Sequence, residues 1–141
     1  MEDFSRYVVY PTLDQISDIN RRMIEKFGGL FVPPHNFFNE GSLRYVLVTI
    51  IDPNPVYTSR FEIKEKAARL GYHIISRHTF NEGNKRTAVH VVWEFLTANG
   101  IGIVLDHSII ELANAMAQND ANLDSFVEWL KTHQEASGTS K

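Results

Sequence analysis

The run His78-Thr79-Phe80-Asn81-Glu82-Gly83-Asn84-Lys85-Arg86-Thr87-Ala88 brings together an imidazole, a carboxylate, a glycine-asparagine pair and two adjacent cations. Apolar residues at Val89, Val91, Val92, Phe95 and Leu96 follow at once with helical spacing, so the run reads as a polar loop feeding a helix N-terminus. Such an N-terminus presents unpaired backbone N–H groups and the positive end of the helix macrodipole, and it attracts anions before any side chain contributes. Lys85 and Arg86 add positive charge against that macrodipole, which costs stability until an anion sits between them. A phosphate is the expected occupant. Familiar phosphate and metal patterns do not describe the run. Lys85 follows Asn84 and precedes Arg86, which breaks the P-loop spacing, and no Gly-x-Gly-x-x-Gly is present. With His73, His78 and His90 off the i, i+4 spacing and no cysteine in the chain, a zinc site is not expected.

The elements that must hold this loop are helices. Thr12, with Gln15 three residues on, has capping-box spacing and opens a helix in which Leu13, Ile16, Ile19, Met23, Ile24 and Phe27 recur at helical intervals, ended by Gly28-Gly29. Residues 30–40, with Pro33-Pro34, read as a loop whose aromatics Phe31, Phe37 and Phe38 are expected to tuck under the domain. A second helix is expected from about Ser42 to Ile51, although its β-branched density leaves a strand open. Asp52-Pro53-Asn54-Pro55 stops it. Ser59, three residues before Glu62, is a second capping box, and Ile63, Ala67, Leu70 and Ile74 form one face of a helix that delivers His78 to the loop. The helix that follows the loop, from about Lys85 to Ala98, ends at Asn99-Gly100, a left-handed cap. Asp106 and Asn122 are positioned to cap two more helices. Six helical segments on short connections predict an all-α domain over residues 1–133, with a small, polar, flexible tail at 134–141.

Composition narrows the function. A net charge of −3 and a pI near 6.0 argue against a nucleic-acid partner, which needs clustered, uncompensated cations. The absence of cysteine removes disulfides and thiolate metal sites and fits a reducing compartment. No apolar stretch is long enough for a membrane span and Met1-Glu2-Asp3 lacks the order of a signal peptide, so a cytoplasmic protein is expected.

His78, Phe80, Glu82, Gly83, Asn84, Lys85 and Arg86 match, position by position, the pattern His-x-Phe-x-Asp/Glu-Gly-Asn-Gly/Lys-Arg. On these residues the chain resembles the Fic/Doc (Fido) family, and lysine before arginine with Thr87-Ala88 after it is similar to the Doc (death on curing) branch. The likeness extends over roughly Tyr10 to His133, through Gly28-Gly29, Asn39-Glu40-Gly41, Glu65-Lys66-Ala67-Ala68 and Asn99-Gly100. The resemblance implies a Fido-type helical bundle with little or no strand beyond a short flap near Asp52 to Phe61. It implies His78 as the general base for a Ser, Thr or Tyr hydroxyl on a target protein. It also implies Glu82 as the Mg²⁺ ligand, and Gly83, Asn84, Lys85 and Arg86 as the cradle for the phosphates of ATP. Fic enzymes that transfer AMP carry glycine at the position of Lys85 and a second arginine where this chain has Val89. The Doc branch shows both changes and is associated with phosphoryl transfer from ATP, with elongation factor Tu as a target and an antitoxin chain acting in trans. The expectation is therefore a toxin-type kinase; AMP transfer and a catalytically inactive nucleotide- or partner-binding domain remain the alternatives. Phe80 is expected to anchor the loop, His90 to be structural, and Arg77 to touch either a phosphate or a carboxylate.

Overall fold

The computed structural model describes residues 8–51 and 60–135, apart from the side chains of Arg60 and Phe61. The described residues form six helices: α1 (Leu13–Phe27), α2 (Glu40–Ile50), α3 (Arg60–Ser76), α4 (Asn84–Ala98), α5 (Ser108–Ala117) and α6 (Leu123–Thr132). Among the described residues there is no sheet, only isolated antiparallel bridges between Phe37 and Phe80 and between Ile103 and Gln134. The expected all-α bundle is the one observed. The expected flap and the Ser59 cap lie outside the described residues.

Local chemistry sets the helix ends. At α1 the Thr12 hydroxyl accepts from the Gln15 N–H while the Gln15 side chain accepts from the Thr12 N–H, a reciprocal cap. Asn39 caps α2, so Glu40 and Gly41 form its first turn and the helix starts two residues earlier than the apolar pattern suggests. The Asp106 carboxylate accepts from the Ser108 N–H at the start of α5, and Asn122 and Ser125 cap α6 reciprocally.

The central element is α3, which packs on α2, α4, α5 and α6, while α1 lies on α4. Its inward residues Ile63, Ala67, Leu70 and Ile74 are fully buried, together with Phe80, Phe95, Leu96 and Phe126 from the surrounding elements. Gly71 permits a close approach of three helices. A Cβ added there would meet a Val92 methyl at 2.6 Å and the Phe126 ring at 2.9 Å, so only glycine lets α3, α4 and α6 converge at this point. Past α4, Gly100 takes the left-handed conformation (φ 78°) and the buried Asn99 clasps the N-terminal arm: its Oδ1 accepts from the Val9 N–H and its Nδ2 donates to the Val9 carbonyl. At the other end, Gln134 bridges Ile103 and takes a hydrogen bond from the buried Lys64, so the chain stays against the body just beyond α6.

Candidate functional site

His78 sits at the end of α3 in a conformation that the helix imposes. The Thr79 N–H donates to the Ile74 carbonyl and the His78 N–H to the Ile75 carbonyl, the paired bonds of a Schellman ending. The residue at the turning position of that motif is usually glycine; here it is His78, with φ 51°. An imidazole in that position costs roughly 1–2 kcal/mol of backbone strain. In return the side chain is carried out of the helix into solvent. Thr79, immediately after it, is fully buried, and its hydroxyl is the one buried side-chain polar atom without a partner among the described residues.

The loop from Phe80 to Gly83 is fixed from below by amides. Asn20 is fully buried in α1; its Nδ2 donates to the Glu82 carbonyl (2.9 Å) and to the Thr87 hydroxyl (3.0 Å). Its Oδ1 accepts from Asn36 Nδ2 at 2.9 Å. Asn36, itself buried with φ 63°, accepts at its carbonyl from the Asn81 N–H at 3.0 Å. Phe80 is buried and stacks on Phe37 with ring centroids 5.1 Å apart, the apolar anchor expected of it. The residues of the amide web carried no signal as a motif. Asn20 was visible only as a polar residue on the apolar face of α1, a placement that calls for a buried partner.

At the tip of α4, Gly83 is the N-cap with φ 82° and no side chain caps the helix. The first turn holds no carboxylate; it holds Lys85 and Arg86, both exposed. The first-turn N–H groups therefore have no side-chain acceptor and share their turn with two cations, an arrangement suited to an anion. Lys85 Nζ donates to Asn114 of α5 (2.9 Å), and the Arg86 guanidinium lies over the Phe27 ring at 4.3 Å from its centroid. The Asn84 side chain is turned back onto the loop. Its Oδ1 accepts from the Phe80 N–H (2.9 Å) and its Nδ2 donates to the Phe80 carbonyl (2.8 Å), so it braces the loop and offers the site its backbone N–H. Glu82 is exposed, and its carboxylate reaches back over Gly29, where an added Cβ would lie 2.9 Å from Oε1. With φ 130° at Gly29, the turn after α1 is shaped to leave that carboxylate room.

Alongside Lys85 and Arg86 runs a cleft of about 820 Å³ between α1, α4 and α5, with Met23, Phe27, Val89, Trp93, Ile109 and Ile110 among its apolar lining. Val89 stands one turn into α4 on this wall, so no third cation follows the pair there. His90 lies beyond, with its Nε2 2.6 Å from Glu94 of the same helix, and Glu94 in turn pairs with Arg22 of α1. Of the expected site residues, Glu82, Gly83, Lys85 and Arg86 converge on the tip with the Asn84 backbone, and His78 flanks it through the braced loop. Arg77 is exposed and makes no side-chain ion pair with a described residue.

No described group of three or more His, Cys, Asp or Glu residues could hold a metal ion unaided. A single carboxylate is nonetheless the usual protein contribution where Mg²⁺ arrives with a nucleotide, because phosphates and water complete its octahedron. Glu82, exposed beside the anion site, fits that role.

Residues 10–96, from the N-terminal arm through most of α4, match the sequence model of the Fic/DOC family. A 65-residue part of the chain is 37% identical to a protein named Toxin Doc from Mycolicibacterium smegmatis, covering 44% of this chain and 50% of that relative. The chain thus spans about half the length of the curated relative it matches.

Proposed function

The chain belongs to the Fic/DOC family, and from that premise we propose that it is a Doc-like toxin that transfers the γ-phosphoryl group of ATP to a Ser, Thr or Tyr hydroxyl of a target protein. The observation that carries this reading is the uncapped, cationic tip of α4, joined to an exposed His78 by the short loop that Asn84 braces at Phe80. The backbone N–H groups of Asn84, Lys85 and Arg86 hold the phosphates, with the Arg86 guanidinium moving from the Phe27 face onto them as a paired donor. His78 accepts the proton of the incoming hydroxyl; the oxygen bonds to the γ-phosphorus as the bond to the bridging oxygen breaks, and ADP leaves with that electron pair. Glu82 would hold Mg²⁺, which supplies neutralisation of the phosphate charge when bound.

Val89 favours phosphoryl over AMP transfer. An apolar side chain on the cleft wall leaves the inner phosphates without the second arginine that AMP-transferring relatives use, and Lys85 occupies space that glycine would leave open. In this reading the target is of the translation-factor type, elongation factor Tu being the first to try, and the site of action is the cytoplasm. Restraint comes from an antitoxin in trans, whose amphipathic segment would lie in the apolar cleft beside Lys85 and Arg86.

Parallel labelling with α- and γ-labelled ATP tests the chemistry. Label transferred from the γ position alone supports the proposal, label from both positions identifies AMP transfer, and label from neither on a broad bacterial extract identifies a binding domain. His78→Ala lowers transfer by about 10²–10⁴-fold if the histidine is the general base.

A further inference from the structure

We propose that the groove between the outer faces of α2 and α3 is the docking track for the target protein's acceptor segment, and that this segment carries apolar side chains together with acidic ones. The inference rests on the reading of His78 as the base. Three links show that α2 and α3 lie antiparallel, with the groove starting at His78. Asn39 Nδ2 donates to the Arg77 carbonyl (3.3 Å), the Tyr45 and His73 rings lie 6.2 Å apart, and Lys66 donates to the Ile50 carbonyl. One wall is apolar and exposed: Phe38 at 69%, Tyr45 at 65% and Val48 at 73%. Phe38 and Asn39 both donate their N–H groups to the Thr79 carbonyl (2.8 and 3.0 Å), so the head of this wall is fastened to the residue after His78.

The facing wall is cationic. Arg69, His73 and Arg77 follow one another at four-residue steps along α3, and neither arginine makes an ion pair with a described residue, while Arg44 on α2 is already matched with Glu40. Glu65, a turn before Arg69, is not paired with it. The uncompensated field is felt by His73, whose pKa is lowered by burial and then by Arg77 and Arg69. Apolar side chains left in water beside guanidiniums without a carboxylate partner among the described residues call for an occupant that covers the first and neutralises the second. From Asn39 to Val48 the track is about 14 Å long, enough for about four extended residues. A hydroxyl at the end of such a segment arrives at His78.

The test uses the full chain with Mg²⁺ and γ-labelled ATP on a bacterial extract, followed by kinetics on the labelled acceptor once isolated. The variants are Tyr45→Ala with Val48→Ser, and separately Arg69→Glu; ATP affinity is measured by calorimetry. The expected result is a KM for the acceptor raised about tenfold or more in each variant, with kcat and ATP affinity unchanged. Arg69→Glu should also flatten the salt dependence of KM. An unchanged KM in both variants overturns the proposal. So does sedimentation showing a wild-type dimer that Tyr45→Ala with Val48→Ser dissociates, since a second copy then covers the wall. Wild-type chain that binds ATP and labels nothing overturns the phosphoryl-transfer reading itself, a failure distinct from an altered KM.

Discussion

At the scale of single residues, His78 serves two demands that pull apart. The proposed chemistry requires an imidazole, while the helix ending requires a residue at ease with φ near 51°, which is glycine. His78→Gly is therefore expected to abolish transfer and to raise unfolding stability by about 0.5–1 kcal/mol, the strain relieved less the extra chain entropy of glycine. Urea denaturation set beside a transfer assay checks both signs at once. Thr79 makes the contrasting case: its buried hydroxyl has no partner, so Thr79→Val should leave stability equal or improved. Asn20→Ala should cost about 2–4 kcal/mol, because it strips buried partners from Glu82, Thr87 and Asn36. The His78 to Arg86 run could be recognised from residue types and spacing alone, since each type carries its own chemistry. The bracing role of the Asn84 side chain could not, because an amide beside a phosphate loop and an amide holding that loop look alike until the Phe80 backbone is seen folding back on it.

At the scale of elements, helix periodicity and capping residues located all six helices, and the departures have physical causes. The expectation that Phe38 tucks under the domain is not met. The bridge between Phe37 and Phe80 sets an extended register in which Phe37 turns inward onto Phe80 and its neighbour Phe38 turns out. The convergence at Gly71 was equally hidden, since a glycine inside a helical pattern reads as a weakness until two other helices are found against it. Gly71→Ala is expected to destabilise the protein by about 1–3 kcal/mol despite the better helix propensity of alanine, measurable as a lowered urea midpoint. Acidification should also act through α3. Burial, then Arg77 and Arg69, hold the His73 pKa below its ordinary value of 6.5. The unfolded chain thus takes up that proton first, and stability, complete above pH 6.5, falls as pH drops from there through the folded value. The urea midpoint of the wild type should fall more between pH 7.5 and 5.5 than that of His73→Gln; equal losses would show that His73 carries no part of it.

At the scale of the whole molecule, four pieces distant in sequence meet beneath one helix tip: α1 through Asn20, the loop before α2 through Asn36, the end of α3 through Thr79, and α4 itself. Long-range meetings of this kind have no local signature, which is why the motif was legible while its foundation was not. That foundation has a consequence for how the molecule can be silenced. Because buried amides already lock the loop, ATP has little left to rigidify, and its arrival should scarcely change the hydrogen-exchange protection of the Asn81 amide, which is tied to Asn36. A seat this stiff offers no slack for a distant signal to loosen, so the proposed transfer is expected to be switched off by something sitting in it or across its entrance.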